Sequence, residues 1–141
     1  MAAAFDITPS AAFKRAADAM ATVSISEVVV AATMRTASES ISGLRDSAKS
    51  AGASRSMVGA VTVLQAPSAA DLVMRQRAEP GDIMVGVSGH SDHAEEADDL
   101  EWGGVSEGPR AWVRNWHSHN QGAVNAQWSD ALTTELTRRL R

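Results

Sequence analysis

The chain has 141 residues with a formal net charge of −4 and no cysteine. That length suits one domain, taken as 1–141, with enough chain to bury a core unaided. The missing thiols exclude disulfides and Cys-based zinc or redox sites, and they fit a reducing cytoplasm. The acidic balance argues against binding nucleic acid through a dominant basic face. No apolar run approaches the roughly 20 residues that span a bilayer, so no membrane partner is expected, and the N-terminus lacks the basic and apolar regions of a signal peptide. All four tryptophans lie between residues 102 and 128, whereas Phe occurs twice and Tyr not at all. Large apolar surface is therefore concentrated in the C-terminal third, and the first half must pack through Ala, Val, Met, Ile and Leu.

Residues 1–7 read as a flexible arm that Phe5 could anchor. Thr8-Pro9 is a helix start, a capping hydroxyl with proline in the first turn, and Ala12, Phe13, Ala16, Ala17 and Met20 carry that helix to about Met20. Ser24 and Glu27 form a capping box ahead of a longer helix. Its apolar stripe is Val30, Met34, Ala37, Ile41, Leu44 and Ala48, with Arg35, Ser38, Glu39, Ser42, Arg45 and Lys49 on the opposite face. The run Val28-Val29-Val30 favours strand locally, and Gly52 supplies the stop.

From Met57 the texture becomes β-like. Val58, Ala60, Val61, Val63 and Leu64 predict a first strand, broken by Gly59 and ended by Ala66-Pro67-Ser68. Leu72–Arg77 predicts a second, with Val73, Arg75 and Arg77 on one side. Glu79-Pro80-Gly81-Asp82 fits a type II turn. Ile83, Val85 and Val87 then alternate with Met84 and Gly86, so the last two runs are expected to pair as an antiparallel hairpin. Gly89 to Asp99 is polar and acidic, a loop with a helical turn near Ala94 to Leu100. Trp112-Val113-Arg114 reads as a brief strand or extended link. Val124, Trp128, Leu132, Leu136 and Leu140 recur every four residues, with Ala131 beside them, which predicts an amphipathic C-terminal helix packed on the sheet. Arg138, Arg139 and Arg141 complement its dipole. The whole is α+β: a long N-terminal helix, a small antiparallel sheet and a C-terminal helix upon it.

Chemistry-bearing residues occur in two groups. His90-Ser91-Asp92-His93 and His117-Ser118-His119 flank Glu95, Glu96, Asp98 and Asp99, which are ligand types suited to zinc, nickel or copper. Their spacings match no metal motif, and solvated loop residues are the preferred reading. Gly86-Val87-Ser88-Gly89 lacks the Lys-Ser/Thr and helix of a phosphate loop. No serine lies in Gly-x-Ser-x-Gly. Arg75 and Arg77 could touch a phosphate backbone, but ordinary protection of a strand edge is the preferred reading. The second group is Leu100-Glu101-Trp102-Gly103-Gly104 followed by Pro109-Arg110-Ala111-Trp112-Val113-Arg114. The Glu-Trp-Gly-Gly step implies a sharp turn packed on tryptophan. Of Trp112 and Trp116, core packing accounts for one, and the other is a candidate interface anchor. Interface candidates are thus Glu101, Trp102, Arg110, Trp112, Arg114 and Trp116.

This second group resembles the C-terminal signature of the tail-completion, or head–tail joining, proteins of long-tailed bacteriophages. In that family an aliphatic-Glu-aromatic-Gly step precedes a Pro-x-x-aromatic-x-Arg segment and a last helix. The resemblance is specific over residues 97–141. It implies a tail-terminator-like fold and a structural virion protein, not an enzyme, with no cofactor. Its subunits would form a ring, of six copies, at the head-proximal end of the tail. Implied partners are other copies of the chain, neighbouring neck proteins, the tail tube or terminator, and genomic DNA passing through the lumen without sequence-specific binding. Localisation would be the virion neck, assembled in the bacterial cytoplasm. Other expectations to weigh are a different neck ring (adaptor, stopper or terminator) and, of another class, a small metal-binding hydrolase using the His/Asp/Glu cluster.

Overall fold

The computed structural model describes residues 11–21, 24–65, 72–73, 76–77 and 82–141. In chain order these form α1 (Ala11–Ala21), α2 (Ile25–Ser50), α3 (Arg55–Ala60), β1 (Thr62–Gln65), β2 (Leu72–Val73), β3 (Gln76–Arg77), β4 (Ile83–Gly86), α4 (Ala94–Trp102) and α5 (Trp112–Arg139). The arrangement is α+β. The expected arm, the Thr8-Pro9 helix start, the Ala66-Pro67-Ser68 break, the Glu79-Pro80-Gly81 turn and Arg75 lie outside the described residues.

Two long helices dominate. α2 has 26 residues and α5 has 28, or about 39 and 42 Å at 1.5 Å per residue. α2 starts where Ser24 accepts the Glu27 amide at 3.4 Å. It ends at Ala51, with Gly52 in the positive-φ conformation (φ 91°) that favours glycine. The helices run antiparallel: Arg139 Nη1 near the end of α5 meets Glu27 Oε2 at the start of α2 at 2.9 Å, while Ser47 Oγ near the end of α2 donates to the carbonyl of Trp112 at 2.6 Å. Between them Trp128 Nε1 donates to Thr33 Oγ1 at 3.1 Å. Gly43 is where Trp116 crosses: a Cβ there would run into the indole nitrogen.

The buried face of α2 is Val28, Ala32, Thr36, Ala37, Ser40, Leu44 and Ala48. Of the expected stripe, Ala37, Leu44 and Ala48 lie on this face, whereas Met34 and Ile41 are only half-buried. At the start Val28 is buried and Val30 is 42% exposed, so the face is rotated there. Thr36 and Ser40 are tolerated inside because each hydroxyl bonds the carbonyl four residues back, at 2.9 Å in both cases.

Three further expectations change. Arg55–Ala60 is a short helix and not the start of a strand. Ser54 caps it by accepting the Met57 amide, and Met57 and Val58 drop into the core. The long sequence pairing differs too. β4 pairs antiparallel with β1, in the register Thr62↔Gly86 to Gln65↔Ile83, whereas β2 pairs antiparallel with β3, Leu72 opposite Arg77 and Val73 opposite Gln76. Val61 and Val87, flanking the β1–β4 rungs, are both buried, so this pairing closes the sheet over the core. Lastly, Trp112-Val113-Arg114 is the first turn of α5, which begins twelve residues before Val124 and packs along α2. Leu44, Ala48, Met57, Val58, Val61, Val87, Ala97 and Trp112 form one continuous core. Among the described residues no helix is long and apolar enough to cross a membrane.

Candidate functional site

The signature segment folds as a single corner joining α4 to α5. α4 stops at Gly103 (φ 98°), whose amide returns to Asp99 O at 2.8 Å. A side chain there would press on Pro109, 3.2 Å from its Cδ and nitrogen. The loop then folds back on α4: Gly104 N donates to Glu107 O, and the amides of Arg110 and Ala111 both donate to Leu100 O, at 2.8 and 3.1 Å. Ala111 takes a left-handed conformation (φ 47°, ψ 46°) and offers no capping side chain to α5.

Glu101 supplies that cap from the end of α4, twelve residues before Val113 in sequence. Its carboxylate accepts the amides of Val113 at 2.8 Å and Arg114 at 3.3 Å, two donors a helix N-terminus otherwise leaves unpaired. It also accepts Arg114 Nε at 2.7 Å, while Arg114 Nη2 donates to the Glu101 carbonyl at 2.7 Å. The guanidinium carbon stands 4.3 Å from the Trp102 ring centroid, a cation–π geometry. Both oxygens of Glu101 are thereby committed to holding the start of α5 and the Arg114 side chain in place. Trp112, beginning α5, points its indole back under α4 and donates Nε1–H to Ala97 O at 3.2 Å. Arg110 reaches the other way, Nη1 to Ala51 O at 2.6 Å and Nη2 to Glu107 Oε2 at 3.0 Å, which ties the corner to the end of α2.

Five of the six interface candidates therefore meet in this corner, and Trp116 lies one turn further along α5. Glu101 and Trp112 are each 1% exposed. They act inside the subunit and present almost no surface to a partner; Trp112 is the tryptophan that core packing claims. Trp102, Arg110, Arg114 and Trp116 keep surface. Trp116 and Trp128 also bound an open groove of about 620 Å³ between α2 and α5, floored by Thr36, Ala37, Ser40 and Leu44.

The histidine–acid residues separate. His90 sits in the turn after β4, His93 at the N-terminus of α4, and His117 and His119 on α5. Two positions on a helix are about 200° apart, so the last two diverge. His93 Nδ1 lies 3.8 Å from Glu96 Oε2, but Glu96 is engaged by Ser54, whose amide and hydroxyl donate at 2.6 and 2.7 Å. His119 Nδ1 hydrogen-bonds Asn115 O at 2.7 Å. Among the described residues no three His, Asp or Glu side chains form a group that could hold a metal ion. The acids instead rim a hollow of about 630 Å³ with Asp92, Glu95, Glu96, Asp99 and Glu107, next to Arg110.

The Ser54–Glu96 and Ser47–Trp112 contacts were not anticipated from sequence, because neither has a local signal: the pairs are 42 and 65 residues apart. No protein-family model, curated protein or solved structure matches this chain.

Proposed function

We propose that this chain is a structural subunit of the head–tail interface of a long-tailed bacteriophage. It would form a ring of six at the head-proximal end of the tail, joining tail to head and letting DNA pass. One observation carries the reading. The two halves of the signature, Glu101-Trp102-Gly103 and Pro109 to Arg114, are joined by the Glu101 carboxylate on the Val113 and Arg114 amides and the Arg114 side chain. The resemblance thus rests on residues that need one another physically, not on two unrelated short matches. A long helical hairpin supports it further, because a rigid rod-like pair suits a subunit that works by shape. Its ring contacts would be heterologous, each subunit presenting different faces to its two neighbours. Partners are neighbouring neck proteins and the tail tube or terminator.

Deleting the gene from the phage or prophage that carries it tests the proposal. Electron microscopy should find filled heads and separate tails, with joining restored by purified protein. Joined, infectious particles from the deletion would overturn it. A reconstruction of the restored neck would also separate a tail-completion ring from an adaptor, stopper or terminator by its position.

A further inference from the structure

We propose that a second copy of this chain docks its acidic α4 face into a basic hollow between α2 and α3. The hollow, about 540 Å³, is lined by Arg45, Lys49 and Arg55 against a single carboxylate, Asp46. That is a local cationic excess in a chain whose net charge is −4. Lys49 and Arg55 are exposed and make no ion pair among the described residues. Arg45 is half-buried, and its Nη2 is fixed by the carbonyls of Gly59 at 3.3 Å and Val61 at 3.0 Å. Its Nε is buried with no acceptor. A guanidinium partly withdrawn from water without a counter-ion is costly, and a carboxylate arriving from outside would offset that cost in a weakly screened setting.

The matching surface lies on the same chain. The hollow at α4 carries five carboxylates against one cation, and Asp92 and Glu95 project from it exposed. One subunit cannot join its own two faces. Lys49 lies one turn from Arg45 on α2, and each is turned about 200° from a residue that faces α5, Arg45 from Gly43 and Lys49 from Ser47. The acidic hollow is built by α4 and the loop that leads into α5. Both faces are fixed by packing on the same core, so basic face meets acidic face only between copies. The inference concerns self-association alone and stands or falls separately from the neck proposal.

The test measures association of purified chain by sedimentation, with circular dichroism to check folding. Wild type should associate at low salt and dissociate as salt rises from about 0.1 M to about 1 M. The double variants Lys49→Glu/Arg55→Glu and Asp92→Lys/Glu95→Lys should each associate about tenfold or more weakly. Mixing the two variants should restore association, because each then offers the face the other lacks. Wild type that stays monomeric at its highest soluble concentration overturns the proposal, as do variants that associate like wild type or a mixture that stays apart. Duplex DNA bound by wild type and lost in Lys49→Glu/Arg55→Glu, with self-association unchanged, would assign the hollow to nucleic acid instead.

Discussion

Removing the Glu101 side chain tests whether the corner holds α5 in place. In Glu101→Ala the Val113 and Arg114 amides lose their acceptor, which resembles loss of an N-cap, about 1–2 kcal/mol. The side chain is 2% exposed, so deleting it also leaves a small cavity, about 1 kcal/mol for the buried methylene and its contacts. The ion pair contributes less than a fully buried one, because the Arg114 side chain is 50% exposed and recovers water once released. Together these predict a loss of about 3 kcal/mol. Glu101→Gln keeps the shape and one acceptor oxygen and should lose about half as much. Arg114→Ala leaves the amides capped and should cost about 1 kcal/mol, with the double variant less costly than the sum of the single ones. Urea unfolding followed by tryptophan fluorescence measures all of these, since Trp102 and Trp112 flank the carboxylate. Glu101→Ala within about 0.5 kcal/mol of wild type would refute the argument that this carboxylate nucleates the start of α5.

Gly43→Ala should destabilise by about 1 kcal/mol net, because the new methyl displaces the Trp116 indole and outweighs the helix-propensity gain. Gly122→Ala is its control: nothing lies within 4 Å of a Cβ there, so thermal melts should show a gain of about 0.5–1 kcal/mol. Trp112→Ala should cost about 3–5 kcal/mol in urea titrations, as the largest fully buried side chain is lost along with its bond to Ala97. The Glu135 carboxyl is held down from 4.5 to about 2, chiefly by its hydrogen bond from Arg138 and then by that from Arg139. Because the folded value is the lower one, its stabilising effect is complete above pH 4.5 and is lost as pH falls toward 2; an acid titration should show wild type losing its advantage over Glu135→Gln across that window. Changing His90, His93, His117 and His119 together to Gln should leave the melting temperature nearly unchanged and remove no metal from the purified protein by elemental analysis.

What was legible in the sequence is what local rules govern. Ser24 and Glu27 mark the start of α2, Gly52 marks its end, and the stripe Ala37, Leu44 and Ala48 faces inward as its spacing predicts. What was not legible depends on contacts distant in sequence. The first half of α5 carries a period-four series, Trp112, Trp116, Asn120, Val124 and Trp128, but Asn120 and Gly122 interrupt it and make it look like a loop. Its actual start is set by Glu101, which no local capping pattern announces. The Arg55–Ala60 segment has the Val and Gly content of a broken strand, yet Ser54 caps it and Glu96 anchors Ser54. β1 pairs with β4 rather than β2 with β4 because that choice buries Val61 and Val87. Of the candidate site, the sequence singled out the correct cluster of residues but not the division of labour among them.

That division follows from geometry. The carboxylate must reach from α4 across a tight loop to two amides of the next helix, so it is buried and spent on the fold. A glycine with φ 98° must end α4 where Pro109 closes in, and Ala111 must turn left-handed to aim the new helix back under α4. Trp112 then fills the space beneath, and Arg114 closes the carboxylate against the face of Trp102. Each residue type in the signature thus has a cause inside one subunit, and the signature by itself specifies a corner rather than a contact. The proposed assembly would have to use what the corner leaves exposed: the Trp102–Arg114 face, the Trp116 edge of the groove, and the segregated charges of α2 and α4. Substitutions at Glu101 or Trp112 should therefore abolish assembly only as far as they unfold the chain, whereas those at Lys49, Arg55, Asp92 or Glu95 should weaken it in a protein that still melts like wild type.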